Sequence, residues 1–277
     1  MGVQVAYLPD GARLHLHHGP IDLILWADAQ ARKAAYAFAV ERFSGLLEEL
    51  VAELPLLRTP APQSPEGPIA RGMAAAVAPY APLFITPMAA VAGAVADAVL
   101  AAMARAPGLT KAHVNNGGDI AFHLTPGAQL AVAIAGAPAG LCLGADQPYR
   151  GLATSGWRGR SHSLGIADAV TVIARTAADA DAAATMIANA VDLPGHPAIS
   201  RQPARTLAPD SDLGARLVTV DVGPLLPDES ARALDRGLAA AQAYHARGLI
   251  GAALLSLNGL TRTTGAALAP EPELLDD

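Results

Sequence analysis

Cysteine and lysine are almost absent from this sequence. Cys142 stands alone, which excludes an internal disulfide, a cysteine-built zinc site and a CxxC redox pair. Lys33 and Lys111 are the only lysines among 19 basic residues, and the formal net charge is −6. No basic face or cluster is long enough to follow a phosphate backbone, so nucleic acid is not an expected partner, while a local site for a small anion stays open. Charged residues make up only 16% of the chain against 52% hydrophobic, the reverse of a disorder signature and enough for a sizeable core. Over 277 residues that core would serve one large domain or two packed lobes.

Other absences are positional. Met1 to Asp10 has no basic segment leading into an apolar one, so a cytoplasmic location is expected. Gly72 to Ala96 carries no charge and is long enough to span a bilayer. Pro79, Pro82 and Pro87 interrupt it and much of the rest is alanine, so a buried loop, short strand or core helix is expected, not a membrane span. There is no internal repeat, and no G-x-S-x-G elbow surrounds Ser155, which argues against a hydrolase triad with His162.

What is present reads as an α+β chain. Strands are predicted at Val3 to Leu8, Arg13 to His17 and Ile21 to Trp26. Tyr36, Val40, Phe43, Leu47, Leu50 and Leu54 recur in fours and threes, predicting one helix within Ala29 to Leu54. The proline-rich run Arg58 to Pro68 is the best candidate for a boundary between lobes. A helix is expected at Met88 to Ala104, strands at Lys111 to Asn115, Ile120 to Leu124, Gln129 to Ala135 and Ala169 to Ala174, and a helix at Ala178 to Val191. A strand at Arg216 to Val222, a helix at Asp228 to Ala246 and a strand at Leu249 to Leu257 would follow, with residues 263–277 as a flexible acidic tail. Several strands adjacent in sequence favour a largely antiparallel sheet with packed helices over a doubly wound one.

Three segments hold residues suited to chemistry. Asn115-Asn116-Gly117-Gly118-Asp119 lies between two predicted strands. Its glycines could aim backbone N–H groups at a phosphate, or simply form a tight hairpin turn. Thr154-Ser155-Gly156-Trp157-Arg158-Gly159-Arg160-Ser161-His162 has the donors to bind a pyrophosphate, and equally the composition of a solvated loop. Asp181 and Thr185, four apart in a predicted helix, place two hard oxygen donors suited to Mg²⁺ on one face, although an Asp here also suits a helix N-terminus. His15, His17 and His18 lack a further ligand nearby and are read as edge or surface histidines.

In this order the segments resemble the ApbE-like superfamily, best known as FAD:protein FMN transferases. Pro87-Met88-Ala89-Ala90-Val91-Ala92-Gly93 resembles its helix entry, Asn116-Gly117-Gly118-Asp119 its glycine hairpin, Ala153-Thr154-Ser155-Gly156 its Ala-Thr-Ser-Gly strand, and Asp181 to Thr185 its late Asp-x-x-x-Thr helix. His18-Gly19-Pro20-Ile21-Asp22 and Asp210-Ser211-Asp212-Leu213-Gly214 are similar to a UPF-designated branch related to ApbE. The resemblance implies a T-fold-related α+β architecture, with Mg²⁺ on Asp181, Thr185 and the Ala89 carbonyl. It also implies FAD or a related nucleotide at Asn116, Gly117, Gly118, Asp119, Thr154, Ser155 and Gly156, and His162 as the nearest acid/base.

Two departures bear on activity. Ala92 stands where flavin transferases carry a lysine, and Ser161 to Asp168 replaces their His-Ile-x-Asp-Pro run. A flavin- or nucleotide-handling transferase with altered or lost FMN transfer is therefore expected. A non-catalytic ligand-binding or accessory protein, in sulfur assimilation by the branch's association, is the alternative. The expected partner is a phosphate-containing small molecule, and a homo-oligomer remains open.

Overall fold

The computed structural model describes residues 2–133 and 140–265. The chain opens with strands β1 (Gln4–Tyr7), β2 (Leu14–His18) and β3 (Ile21–Ala27). Strict alternation in β2 and β3 buries Leu14, Leu16, Leu23 and Leu25 on one face. The helix predicted from Ala29 to Leu54 forms as three pieces, α1 (Arg32–Phe43), α2 (Leu46–Ala52) and α3 (Leu54–Leu57). The first break falls at Gly45, which adopts a left-handed φ of 83°. α4 (Pro68–Val77) and α5 (Val91–Met103) follow, with short 3₁₀ turns at Ala78–Tyr80 and Pro87–Ala90 between them.

The rest of the chain supplies β4 (Lys111–Asn116), β5 (Asp119–Leu124), β6 (Gln129–Ala133), β7 (Gly140–Gly144), β8 (Gly151–Ser155), β9 (Ala169–Ala174) and α6 (Ala177–Ala190). β10 (Ile199–Pro203), α7 (Ala204–Leu207), β11 (Leu217–Val222), α8 (Pro227–Ala246), β12 (Ala252–Leu257) and β13 (Leu260–Thr264) complete it. Nine strands form one sheet in the order β1-β2-β3-β4-β5-β8-β9-β12-β13. Every pairing within it is antiparallel. The pairs β6–β7 and β10–β11 stand outside this sheet.

Helices cover one face of the sheet. Val114, Ala121, Ala153, Val170, Val172 and Leu255 share a core with residues of α1, α4, α5, α6 and α8. On the other face Phe122, Leu124, Leu152, Ile173 and Ala252 pack against Leu141 and Leu143 of the β6–β7 hairpin. The architecture is thus α+β with an antiparallel sheet. Leu57 and Ile69, which flank the proline-rich run 58–68, share the helix-side core, and Glu53 accepts hydrogen bonds from the N–H groups of Glu66 and Gly67 at 2.7 and 2.6 Å.

Gly72 to Ala96 passes through α4, the two 3₁₀ turns and the start of α5, with Met73, Val77, Tyr80, Ile85 and Val95 in the core. Among the described residues no helix is long and apolar enough to cross a membrane. Thr263 and Thr264 belong to β13, not to a tail. Residues 134–135 of the predicted strand and 266–277 of the predicted tail lie outside the described residues. The last predicted strand starts at Ala252, three residues later than expected, because Leu249 still bonds back to the α8 end through its N–H to Tyr244 O at 3.0 Å.

Candidate functional site

The site is built around one side of α6. Its sequence is mostly alanine, and Ala182, Ala183, Ala184, Met186, Ile187 and Ala188 are buried. Asp181, Thr185 and Asn189, four residues apart in succession, are only half-buried, and that spacing lines them up along one side of the helix. The Asn189 Oδ1 accepts from Ser163 Oγ at 3.3 Å and from the Leu164 N–H at 2.9 Å. At the other end of the row Asp181 Oδ2 accepts from the Gly93 N–H at 3.0 Å.

That contact depends on how closely α5 approaches α6. A Cβ at Gly93 would lie 2.2 Å from the Ala177 carbonyl oxygen, so only glycine lets the two backbones meet there. Asp97, one turn further along α5, accepts from the N–H groups of Ala177 and Ala178 at 3.0 and 2.9 Å and caps α6. Ala89 lies in the 3₁₀ turn entering α5, and this turn packs on α6. Thr86, just before it, donates a hydrogen bond to Asp212, which joins the helix entry to the Asp210–Gly214 segment.

The glycine hairpin joins β4 and β5 beside this row. Gly117 and Gly118 both have positive φ, 67° and 115°, and the Gly118 N–H is held by Asn115 Oδ1 at 2.8 Å. Asn116 Nδ2 donates to the Ala92 carbonyl at 3.1 Å, tying hairpin to helix entry. Asp119 Oδ1 accepts from the Thr154 N–H at 3.3 Å. The Arg160 guanidinium lies against Gly117, where an added Cβ would meet its Nη2 at 1.9 Å.

Not every expected residue faces this cleft. Leu152 belongs to the hairpin-side core and Ala153 to the helix-side core, so strand alternation turns Thr154 away from α6. Its hydroxyl pairs with that of Thr171 at 2.9 Å, and only its backbone reaches Asp119. Ser155 falls on the α6 side. Gly156 is packed against backbone, since a Cβ there would meet the Asp168 carbonyl oxygen at 2.3 Å. His162 precedes Ser163, which is anchored at Asn189, roughly 12 Å along the α6 axis from Asp181. On β2, His15 pairs with Asp22 at 3.0 Å and lies beside His17, with ring centroids 6.3 Å apart, whereas His18 is buried and approaches Glu48 at 3.9 Å, so it is not the surface or edge residue expected.

The electrostatics set Asp119 and Asp181 apart. Burial pushes Asp119 up to about 7, against the Thr154 N–H and the Arg160 charge, which favour the ionised form. Asp181 is raised well above the ordinary carboxylate range, first by burial and then by repulsion from Asp119, with the Gly93 and Ala92 N–H groups opposing. Both residues keep part of their surface open to solvent while protein surrounds the carboxyl groups. Two such groups invite a shared proton or a bound cation. Among the described residues no three His, Cys, Asp or Glu side chains gather as a metal cage. A cation here would need water or ligand oxygens to complete its shell.

The sequence reading gives Asn189 and Asp97 no role, whereas it includes Arg160 as one of the donors of the Thr154 to His162 segment. Asn189 continues the four-residue repeat from Asp181 and Thr185 and was legible on that ground. What the sequence does not show is that Arg160 meets Gly117, since that approach arises only through tertiary folding.

An antiparallel α+β protein with an acidic cleft between a glycine hairpin and an alanine-rich helix is the class these features define. The family model described as AbpE bacteria matches residues 5–263, and the chain belongs to that family. It is similar to a UPF0280 protein of Methanopyrus kandleri, 35% identical over 184 residues, 61% of this chain and 69% of that protein. A UPF0280 protein of Methanoregula boonei is 41% identical over 113 residues, 39% of this chain and 47% of that protein, so this match spans about half of the relative's length. Among solved structures, the apo flavinyl transferase ApbE of Pseudomonas stutzeri aligns with a TM-score of 0.42 and 16% identity, covering 95% of this chain and 96% of that one. A variant of flavin transferase ApbE from Vibrio cholerae aligns with a TM-score of 0.33 and 15% identity over 87% and 75% of the two chains.

Proposed function

We propose that the chain binds a phosphate-bearing nucleotide, with FAD as the leading candidate, together with Mg²⁺ in the cleft between the glycine hairpin and α6, and that FMN-transfer chemistry is altered or lost. The observation that carries this reading is the pair of buried, mutually repelling carboxyls at Asp119 and Asp181, set between the glycine hairpin and α6. Their mutual repulsion is relieved by a divalent cation, and Mg²⁺ is characteristically held by one or two carboxylates with phosphate and water oxygens as the remaining ligands. Asp181 and Thr185 offer hard oxygen donors on one side of α6, beside the turn that contains Ala89. When bound, Mg²⁺ would neutralise pyrophosphate charge.

The chain's own residues have distinguishable roles in this reading. The Gly118 N–H is committed to Asn115, which leaves Arg160 as the cationic donor at the hairpin. Arg160 compensates for Ala92, which has no charge to offer and whose carbonyl is occupied by Asn116. Asn116 holds the hairpin against the helix entry and so sets the cleft's width. Ser155 is the hydroxyl of its strand on the cleft side.

A second reading, ligand binding without group transfer, is favoured by His162. The neighbour of this acid/base candidate is tied to the far end of α6, two turns beyond Asp181.

Equilibrium titration with FAD, with and without Mg²⁺, run beside mass-spectrometric detection of FMN transferred to an acceptor protein, tests the proposal. FAD affinity is expected to rise about tenfold or more with Mg²⁺, to lose that increment in Asp181→Ala, and to be accompanied by little transfer. Binding that ignores both Mg²⁺ and Asp181→Ala would remove the metal site, and efficient FMN transfer would overturn the loss of transfer chemistry.

A further inference from the structure

Across the first turns of α6 from Asp181 lies a cavity that the acidic cleft does not use. It measures about 290 Å³, and Tyr80, Arg175, Asp179 and Arg247 are among the residues that line it. Asp179 and Asp181 are two residues apart, roughly 200° around the helix, so the cavity and the cleft look out from opposite sides of α6.

Three donors converge on this cavity. Arg175, in the turn from β9 to α6, is exposed and has no hydrogen-bond or ion-pair partner among the described residues. Arg247 closes the end of α8 and spends one N–H on the Pro79 carbonyl at 2.5 Å, which orients the guanidinium and leaves its other donors unassigned. Tyr80 is only 4% exposed and is held edge-on by Tyr244 at 5.0 Å between ring centroids. Its hydroxyl has no hydrogen-bond partner among the described residues, yet it lies within reach of the charges of both Asp179 and Arg247. Burial raises the phenol's pKa, so it stays a donor at neutral pH. The hydroxyl is not sealed in the core but opens onto the cavity, where with Arg175 and Arg247 it makes three donor groups available to an occupant.

Two guanidiniums against one carboxylate select a ligand with net negative charge, and planar guanidinium forks suit phosphate and carboxylate alike. Asp179, facing the same space, accepts from a hydroxyl or ammonium. The volume sits at the small end of ligand pockets, near 300 Å³, which fits a small metabolite and excludes a dinucleotide. We propose that this cavity is a second binding site, for a small metabolite carrying a phosphate or carboxylate together with a hydrogen-bond donor that Asp179 accepts.

Calorimetric titration of the full chain with inorganic phosphate, O-phosphoserine, glutamate and succinate separates the sources of the oxyanion and tests the donor. At least one of the two donor-bearing probes, O-phosphoserine or glutamate, is expected to bind with Kd below about 1 mM. Arg175→Gln and Arg247→Gln should each weaken that binding about tenfold, and Asp179→Asn should weaken it while leaving succinate unchanged. Arg175 is exposed, so Arg175→Gln is expected to melt with the wild type and to titrate FAD as the wild type does. The proposal fails if none of the four probes binds below about 10 mM, or if binding is indifferent to both arginine variants. An Asp179→Asn variant that binds every probe like the wild type overturns the donor requirement. Loss of FAD binding in Arg175→Gln would overturn the independence of the two sites.

Discussion

Asp119 and Asp181 hold their protons more tightly in the folded chain than in the unfolded one, and the sign of that difference gives a test. With Asp119 near 7 against an ordinary 3.8, the unfolded chain releases its proton first as pH rises. Stability therefore declines between about pH 4 and 7 and levels off above. Asp97, pushed up to about 6 mainly by burial, adds in the same direction. Melting temperature in the absence of Mg²⁺ is expected to fall from pH 5 to pH 8, and Asp119→Asn should show a shallower fall. An identical slope in Asp119→Asn would mean that Asp119 is not the titrating group. Mg²⁺ binding should run the other way and strengthen toward pH 8, because the ligands must lose protons first. At this scale the sequence was partly legible. The four-residue spacing of Asp181 and Thr185 brought out two of the row's three residues, whereas the outward turn of Thr154 follows from two-residue alternation once β8 is treated as a strand and not a loop.

The close crossing of α5 and α6 positions Asp181, and glycine substitutions separate packing from helix propensity. Gly93→Ala drives a methyl into the Ala177 carbonyl and is expected to lower unfolding stability by about 1–3 kcal/mol, with loss of Mg²⁺-dependent FAD binding as the Gly93 N–H moves off Asp181. Gly72 is exposed within α4 and has open space at its Cβ position. Gly72→Ala should therefore stabilise by up to about 1 kcal/mol. Urea denaturation reads both, and equal effects would show that helix propensity alone is at work. Periodic patterns made α6 and α8 readable to within a residue or so of their ends. The helix predicted through Gly45 failed because its apolar spacing continues across a residue that the backbone uses to turn. β7, β10 and β13 went unread: β7 begins and ends on glycine, β10 ends on proline and β13 has a single apolar residue, so none shows a clear alternation.

At the scale of the molecule, the α+β class and antiparallel sheet were legible from strands adjacent in sequence, but strand order was not. β5 pairs with β8 and β9 with β12, and the intervening β6–β7 and β10–β11 pairs leave the sheet. Only tertiary pairing decides which hairpins stay in the sheet. The near-absence of large side chains from α6 carries its own implication. Seven of its nine buried residues are alanine, so truncation has almost nothing to remove there. Growth is what the helix cannot accept: Ala180→Val or Ala183→Val, at positions with no exposed surface, should each cost about 1–3 kcal/mol, whereas cores rich in leucine suffer most from shortening. A saturation scan read out by abundance should accordingly rank α6 substitutions by added volume rather than by lost hydrophobicity, so that serine is tolerated at these positions better than leucine.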